Sequence, residues 1–390
     1  MSQLSNKKSR VASVEFWRFL FTVLVCLYHL EIYFTTGKVF PSGTSAVEFF
    51  FVLGGFLAAM SARNFFARRP EEERSLSSRE ASRLAALFVW KKVKAIFPVL
   101  LITLILHLLF NGGGYQYKNA LDAALHMEWE LLFMVGTGFG YNGMTTPIVP
   151  LWFLTALFAA GYVYTYFLYR KYDFTLFLAP ILGVLLVSYF TLKSSLVLDF
   201  NVSMDFLTAG MVKGFGEMAL GIALFRLWDH LSGIRRGKVW HLVLTLLMLF
   251  AVWCYFALTL NQNLGPDNFR RIVYIMIIIL LSFLNEDEIT RLLNGKVSRW
   301  LGHISLPMYV SHFTLCTLYF WFVGQMKMRN PLSGFWRDMG GSTGWTSTAC
   351  TWKDRVLYII MVMLCSVIML GLTALVKKLI AKLRGKSADA

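Results

Sequence analysis

The stretch EFWRFLFTVLVCLYH, Glu15 to His29, decides how the chain is read. It is apolar over a membrane-spanning length, yet it holds an arginine, Arg18, and a histidine, His29. Eleven helical steps of about 100° bring the two side chains to within about 20° of each other around the axis, and about 16 Å apart along it. A cation at one membrane surface and an imidazole deeper in the bilayer therefore share one stripe. Ionisable groups in lipid cost several kcal/mol, so by default they face a cavity and do work there. The stripe reads as that of an enzyme acting inside a membrane.

The rest of the chain agrees with a polytopic all-α bundle. Of its 390 residues 57% are hydrophobic and 15% are charged, and mean hydropathy is +0.57. About ten spans are expected, near 14–35, 44–62, 87–110, 148–169, 174–192, 206–227, 240–261, 270–288, 302–323 and 354–376. The stretch 121–140, with Asp122, His126, Glu128 and Glu130, is expected as an outer re-entrant or interfacial segment. No small-residue cleavage site follows the first span, so it is read as a span and not as a leader.

The net charge of +16 is a topology signal first. With the amino terminus inside, most lysines and arginines fall on inner segments, and the positive-inside rule puts both termini in the cytoplasm. Topology thus accounts for the pI, and nucleic acid is not expected as a partner. The expected organisation is a cytoplasmic segment 1–13, a membrane domain 14–376 with a basic inner loop 63–86 and an outer loop 324–353, and a basic tail 377–390. Cysteine spacing points to neither a disulfide framework nor a metal site. No internal repeat of the kind common in transporters is visible.

Four further patterns accompany the first: AVEFFFVLGGF (Ala46–Phe56), KKVKAIFP (Lys91–Pro98), VPLWFL (Val149–Leu154) and LGHISLPMYVSH (Leu301–His312). Their order and spacing over essentially the whole chain resembles acyltransferase family 3, membrane enzymes that modify surface glycans and other acceptors. The chain departs from the family at Gly54, where serine is frequent, at Lys94, where arginine is commoner, and after Trp152, where many members carry glutamate. The resemblance implies an O-acyltransferase, with acetyl-coenzyme A as cytoplasmic co-substrate and no metal. The acceptor it implies is a hydroxyl of a surface polysaccharide or its lipid-linked precursor, and the location a bacterial inner membrane. A transporter or flippase for a lipid-linked saccharide, and a non-catalytic subunit of a polysaccharide complex, are the alternative classes.

His29 is the expected general base, the alternative being a packing histidine bonded to a nearby carbonyl. Cys26, one turn earlier, is a nucleophile candidate with His29 as its base, the alternative being a small apolar packing residue. Arg18 reads as an anion-binding group at the catalytic stripe, with Glu15 as its orienting partner, or else as a snorkelling arginine. Lys91, Lys92 and Lys94 read as a docking site for coenzyme A phosphates or for anionic lipid, beside the acidic patch Glu71–Glu73. Gly54 and Gly55 allow close approach of a ligand or of a neighbouring helix. Lys213 and Glu217, four apart, are expected to pair, either lining an acceptor path or fixing the bundle. His312, with Ser305 and Tyr309 on a similar face, is a second proton-handling or positioning candidate, whereas His303, at the inner edge, reads as structural or interfacial. Trp336, Trp345 and Trp352 read as sugar-stacking or interface residues.

Overall fold

The computed structural model describes residues 11–34, 36–69, 76–111, 120–125, 127–137, 148–193, 203–204, 207–234, 237–260, 267–322 and 349–383. The patch Glu71–Glu73, His126, Trp336 and Trp345 lie outside the described residues. The long helices are α1 (Ala12–Glu31), α2 (Val47–Phe66), α3 (Ser78–Asn111), α6 (Trp152–Arg170), α7 (Tyr172–Lys193), α8 (Ala209–Ser232), α9 (Lys238–Thr259), α10 (Asp267–Leu284), α12 (Lys296–Phe322) and α13 (Trp352–Leu383). Short pieces join them: α4 (Ala120–Leu125), α5 (Glu128–Leu131), α11 (Glu288–Leu293) and a two-stranded antiparallel hairpin pairing Ser203 with Thr208.

Each expected span falls on one of these long helices. Seven are long and apolar enough to cross a membrane. The others, α8, α10 and α12, carry charged or imidazole residues (Lys213 and Glu217, Arg270 and Arg271, His303 and His312) that lower their hydropathy. The stretch 121–140 forms only α4 and α5, of six and four residues, too short to span. Glu130 on α5 is fully enclosed. Burial pushes its carboxyl up to about 7, with the backbone N–H groups of Glu130 and Ile148 partly opposing the rise. At 34 residues α3 is about 51 Å long, well beyond a hydrocarbon core of about 30 Å, so one end stands clear of it.

The main core is built from the phenylalanine-rich face of α2 against α1, α6 and α8, with Phe21 stacked on Phe49 and Phe51 against Phe153. Gly55 sits where a Cβ would overlap the Met218 carbonyl, so α2 and α8 touch backbone to backbone. A second cluster, with Cys26, Leu30, Met308 and Tyr358, joins α1 to α12 and α13. By contrast α7, α9 and α13 expose Leu185, Trp253 and Leu364, the faces a helix turns to lipid.

At the distal end, where α1 stops, Glu31 is a buried anchor. Its Oε1 accepts from Arg355 Nε at 2.6 Å, and its Oε2 accepts from the backbone N–H groups of Val39 and Phe40 at 3.0 and 2.8 Å. Cys350 N donates to Thr36 O at 3.0 Å, tying the start of α13 to the α1–α2 connection.

Candidate active site

A cavity of about 750 Å³ opens between α1, α2, α3, α6 and α12. At the proximal end, where α1 begins, its walls are polar: Glu15, Arg18, Ser61, Asn64, Lys91, Lys92 and His303. Further in they become apolar, through Leu53, Gly54 and Leu57, and the cavity stops at Phe50, Phe153 and Tyr309. The gradient runs from a cationic mouth to an oily interior.

Arg18 is held by Glu15, with Nη1 donating to Oε2 at 2.8 Å one turn away. Glu15 is itself buried, and it fits only because residue 302 is a glycine: a Cβ on Gly302 would overlap the Glu15 carboxylate. The glycine of the LGHIS motif is therefore a space requirement set by the acid that aims Arg18. Lys92 lies over the Phe88 ring at 4.9 Å, with its ammonium among the groups that line the mouth. Lys94 is exposed, sits over Trp90 at 5.4 Å and does not line the cavity.

His29 lies two turns distal of Thr22, another cavity residue, and is half-buried. Its Nδ1 is 2.9 Å from Val25 O and 3.2 Å from His312 Nε2. His312 Nδ1 is in turn 2.6 Å from Tyr309 O. Carbonyl oxygens only accept, so both Nδ1 atoms carry the proton. His312 Nε2 is then an acceptor toward His29 Nδ1–H, and the lone pair on His29 Nε2 is left for a substrate. The two imidazoles form a directed chain that ends in a base. Tyr358 steadies the chain from behind, its OH donating to His312 O at 2.8 Å and receiving the Cys316 thiol at 3.0 Å.

The remaining expected residues separate clearly. Gly54 faces the cavity, whereas Gly55 is consumed by helix packing. Trp152 packs 6.2 Å from Phe51 and leaves the cavity wall to its neighbour Phe153. Ser305 and Tyr309 line the cavity below His312, as does His303. Cys26 is fully buried in the α1–α12 cluster, away from the cavity lining. Lys213 does pair with Glu217, at 2.7 Å, but it also binds Glu48 at 2.6 Å, and all three are enclosed away from the cavity.

Sequence reasoning missed Glu48, Glu31, Arg355 and Tyr358. Glu48 stands inside the quoted AVEFFFVLGGF run, and a carboxylate amid seven apolar neighbours (Ala46, Val47 and Phe49 to Leu53) was the available signal. Glu31 and Arg355 stand beside apolar runs and Tyr358 within one, but nothing local names their partners.

Among the described residues no cluster of histidine, cysteine and carboxylate has the makings of a metal site. Neither a curated protein nor a solved structure matches the chain. A family model does, and it spans both helices of the histidine pair and every wall of the cavity: the chain belongs to acyltransferase family 3, whose acyltransferase domain matches residues 11–371.

Proposed function

We propose that the protein transfers an acetyl group from cytoplasmic acetyl-coenzyme A to a hydroxyl of a cell-surface polysaccharide or its lipid-linked precursor, in a bacterial inner membrane. The observation that carries this reading is the cavity itself, with cations at one end, an apolar bore, and a histidine base just beyond its closed end. Arg18, Lys91 and Lys92 suit the phosphates of the donor, the guanidinium through forked hydrogen bonds and the ammonium groups as point charges. The apolar bore suits an acyl-pantetheine arm. The positive-inside argument puts the cationic mouth in the cytoplasm and His29 toward the acceptor's side.

In the chemical step the acceptor oxygen attacks the thioester carbonyl carbon while His29 Nε2 takes the hydroxyl proton. The carbon–sulfur bond then breaks, the ester is formed, and the proton passes from His29 to the departing thiolate. His312 receives a stronger hydrogen bond from Nδ1–H while His29 is cationic, which holds the ring in one orientation.

The test is turnover of labelled acetyl-coenzyme A by the purified full chain in nanodiscs, with a mixed pool of surface-glycan precursors. Labelled glycan is the expected product. A protein that neither binds the donor nor labels any acceptor would return the assignment to the transporter class.

Gly302→Ala probes the mouth separately. The new Cβ displaces Glu15 and frees Arg18, so donor KM should rise about tenfold, the factor for one charge-assisted hydrogen bond, with kcat less affected. An unchanged KM in a folded variant would remove the Glu15–Arg18 pair from donor binding.

A further inference from the structure

The proposed donor cavity and the proposed base do not meet. Phe50, Phe153 and Tyr309 close the cavity, and neither His29 nor His312 lines it. The three rings form one contiguous wall, with centroids 5.8 Å apart for Phe50 and Phe153, 5.3 Å for Phe153 and Tyr309, and 6.3 Å for Phe50 and Tyr309. On the other side of it the Tyr309 ring is 5.7 Å from that of His312. A thioester entering from the cationic mouth would reach Tyr309 before it reached either histidine of the pair.

Tyr309 is also latched. Its OH donates to Pro150 O at 2.7 Å, across 159 residues of sequence. Pro150 belongs to the turn Val149–Leu151 that leads into α6, and that turn is buried against the wall next to Trp152 and Phe153. α6 runs from there toward the proximal end, where Tyr162 and Tyr166 bond Ser82 and Ser78 of α3. The latch therefore joins the wall to a segment on the distal side, the side from which the acceptor would come.

We propose that Tyr309 is an acceptor-coupled gate: latched to Pro150 it separates the donor thioester from the histidine pair, and movement of the Val149–Trp152 segment when a hydroxyl acceptor engages releases it. The inference rests on the transferase reading and deepens it. A transferase that faces water must keep its acyl donor from hydrolysis, and excluding the base until the acceptor arrives is one physical means. The reaction so suppressed is balanced without further reagents. Water attacks the thioester carbonyl, His29 takes its proton, the carbon–sulfur bond breaks, and acetate and free coenzyme A thiol leave.

The experiment measures thiol release from acetyl-coenzyme A by the full chain in nanodiscs with no acceptor present. Tyr309→Phe keeps the ring and removes the latch. It should raise acceptor-independent hydrolysis about tenfold, the rate equivalent of one hydrogen bond. Phe153→Ala thins the wall with the latch intact and should also raise it, which carries the test if Tyr309→Phe folds poorly. Adding His29→Ala to either variant should abolish the excess, showing that the newly exposed group is the base. Hydrolysis at the wild-type rate in a folded Tyr309→Phe or Phe153→Ala protein overturns the gate while wild-type transfer to glycan still stands. A wild type inert toward acetyl-coenzyme A with acceptor present overturns the transferase reading itself, and the gate with it.

Discussion

His29→Ala should lower acyl transfer by about 10²- to 10⁴-fold, the range of a positioned general base, and leave donor affinity near that of the wild type. The separation follows from the geometry. Donor contacts on the proposed reading are made by Arg18, Lys91 and Lys92 at the mouth, and His29 is absent from the cavity lining. Alanine leaves a space that water can enter, but water is a far weaker base and its position is not fixed by Val25 and His312. Replacing His312 by alanine should cost less, about tenfold, because it meets only the Nδ1 side of His29 and leaves Nε2 in place. Transfer rates at saturating acceptor, with donor binding measured on the same preparations, decide the matter. Equal rates for wild type and a folded His29→Ala protein would make His29 a packing residue whose Val25 bond is its whole purpose.

The parts of the site legible in the sequence are those written along one helix. Arg18 and His29 share a face because eleven residues are close to three turns, and Lys213 meets Glu217 because four residues are one turn. The same geometry separates residues that stand side by side in the sequence. Lys91, Lys92 and Lys94 lie close together in the sequence, but two residues beyond Lys92 is about 200° of rotation, which carries Lys94 out of the cavity toward Trp90. Gly54 and Gly55 are adjacent, and a step of about 100° separates a cavity wall from a helix contact. His303, expected at the inner edge, is exposed there and lines the cavity mouth, while Ser305, two residues on, is buried in the same wall.

The illegible parts are pairings between distant segments. His312 meets His29 across 283 residues, Glu48 meets Lys213 across 165, and Arg355 meets Glu31 across 324. No local periodicity records such partners. Each of these side chains was visible as a polar residue in or beside an apolar run, and the cost of burying it implied that it had a partner. Which partner depended on how the helices pack, and that is decided by features such as the glycine contact between α2 and α8.

Lys213→Met should destabilise the bundle by about 3–5 kcal/mol, the cost of removing one member of a buried ion pair, against a total stability of about 5–15 kcal/mol. Lys213 is the ammonium shared by two carboxylates, at 2.6 Å from Glu48 and 2.7 Å from Glu217, with side chains at most 2% exposed. Glu48 Oε2 and Glu217 Oε2 accept no other hydrogen bond among the described residues, so the ammonium is the main compensation for both buried carboxyl groups. Methionine matches its length and fits against Phe190, now 5.0 Å from Nζ, so the loss would come from electrostatics and not from a void. The companion variant Glu48→Gln/Lys213→Met/Glu217→Gln replaces all three ionisable groups at nearly constant volume and should recover most of the lost stability. Thermal unfolding of the three proteins in the same detergent reads both effects. A Lys213→Met protein as stable as wild type would mean the carboxylates do not depend on it. If instead the triple variant folds and transfers acyl groups normally, the cluster is confined to holding α2 on α8, in keeping with its place outside the cavity.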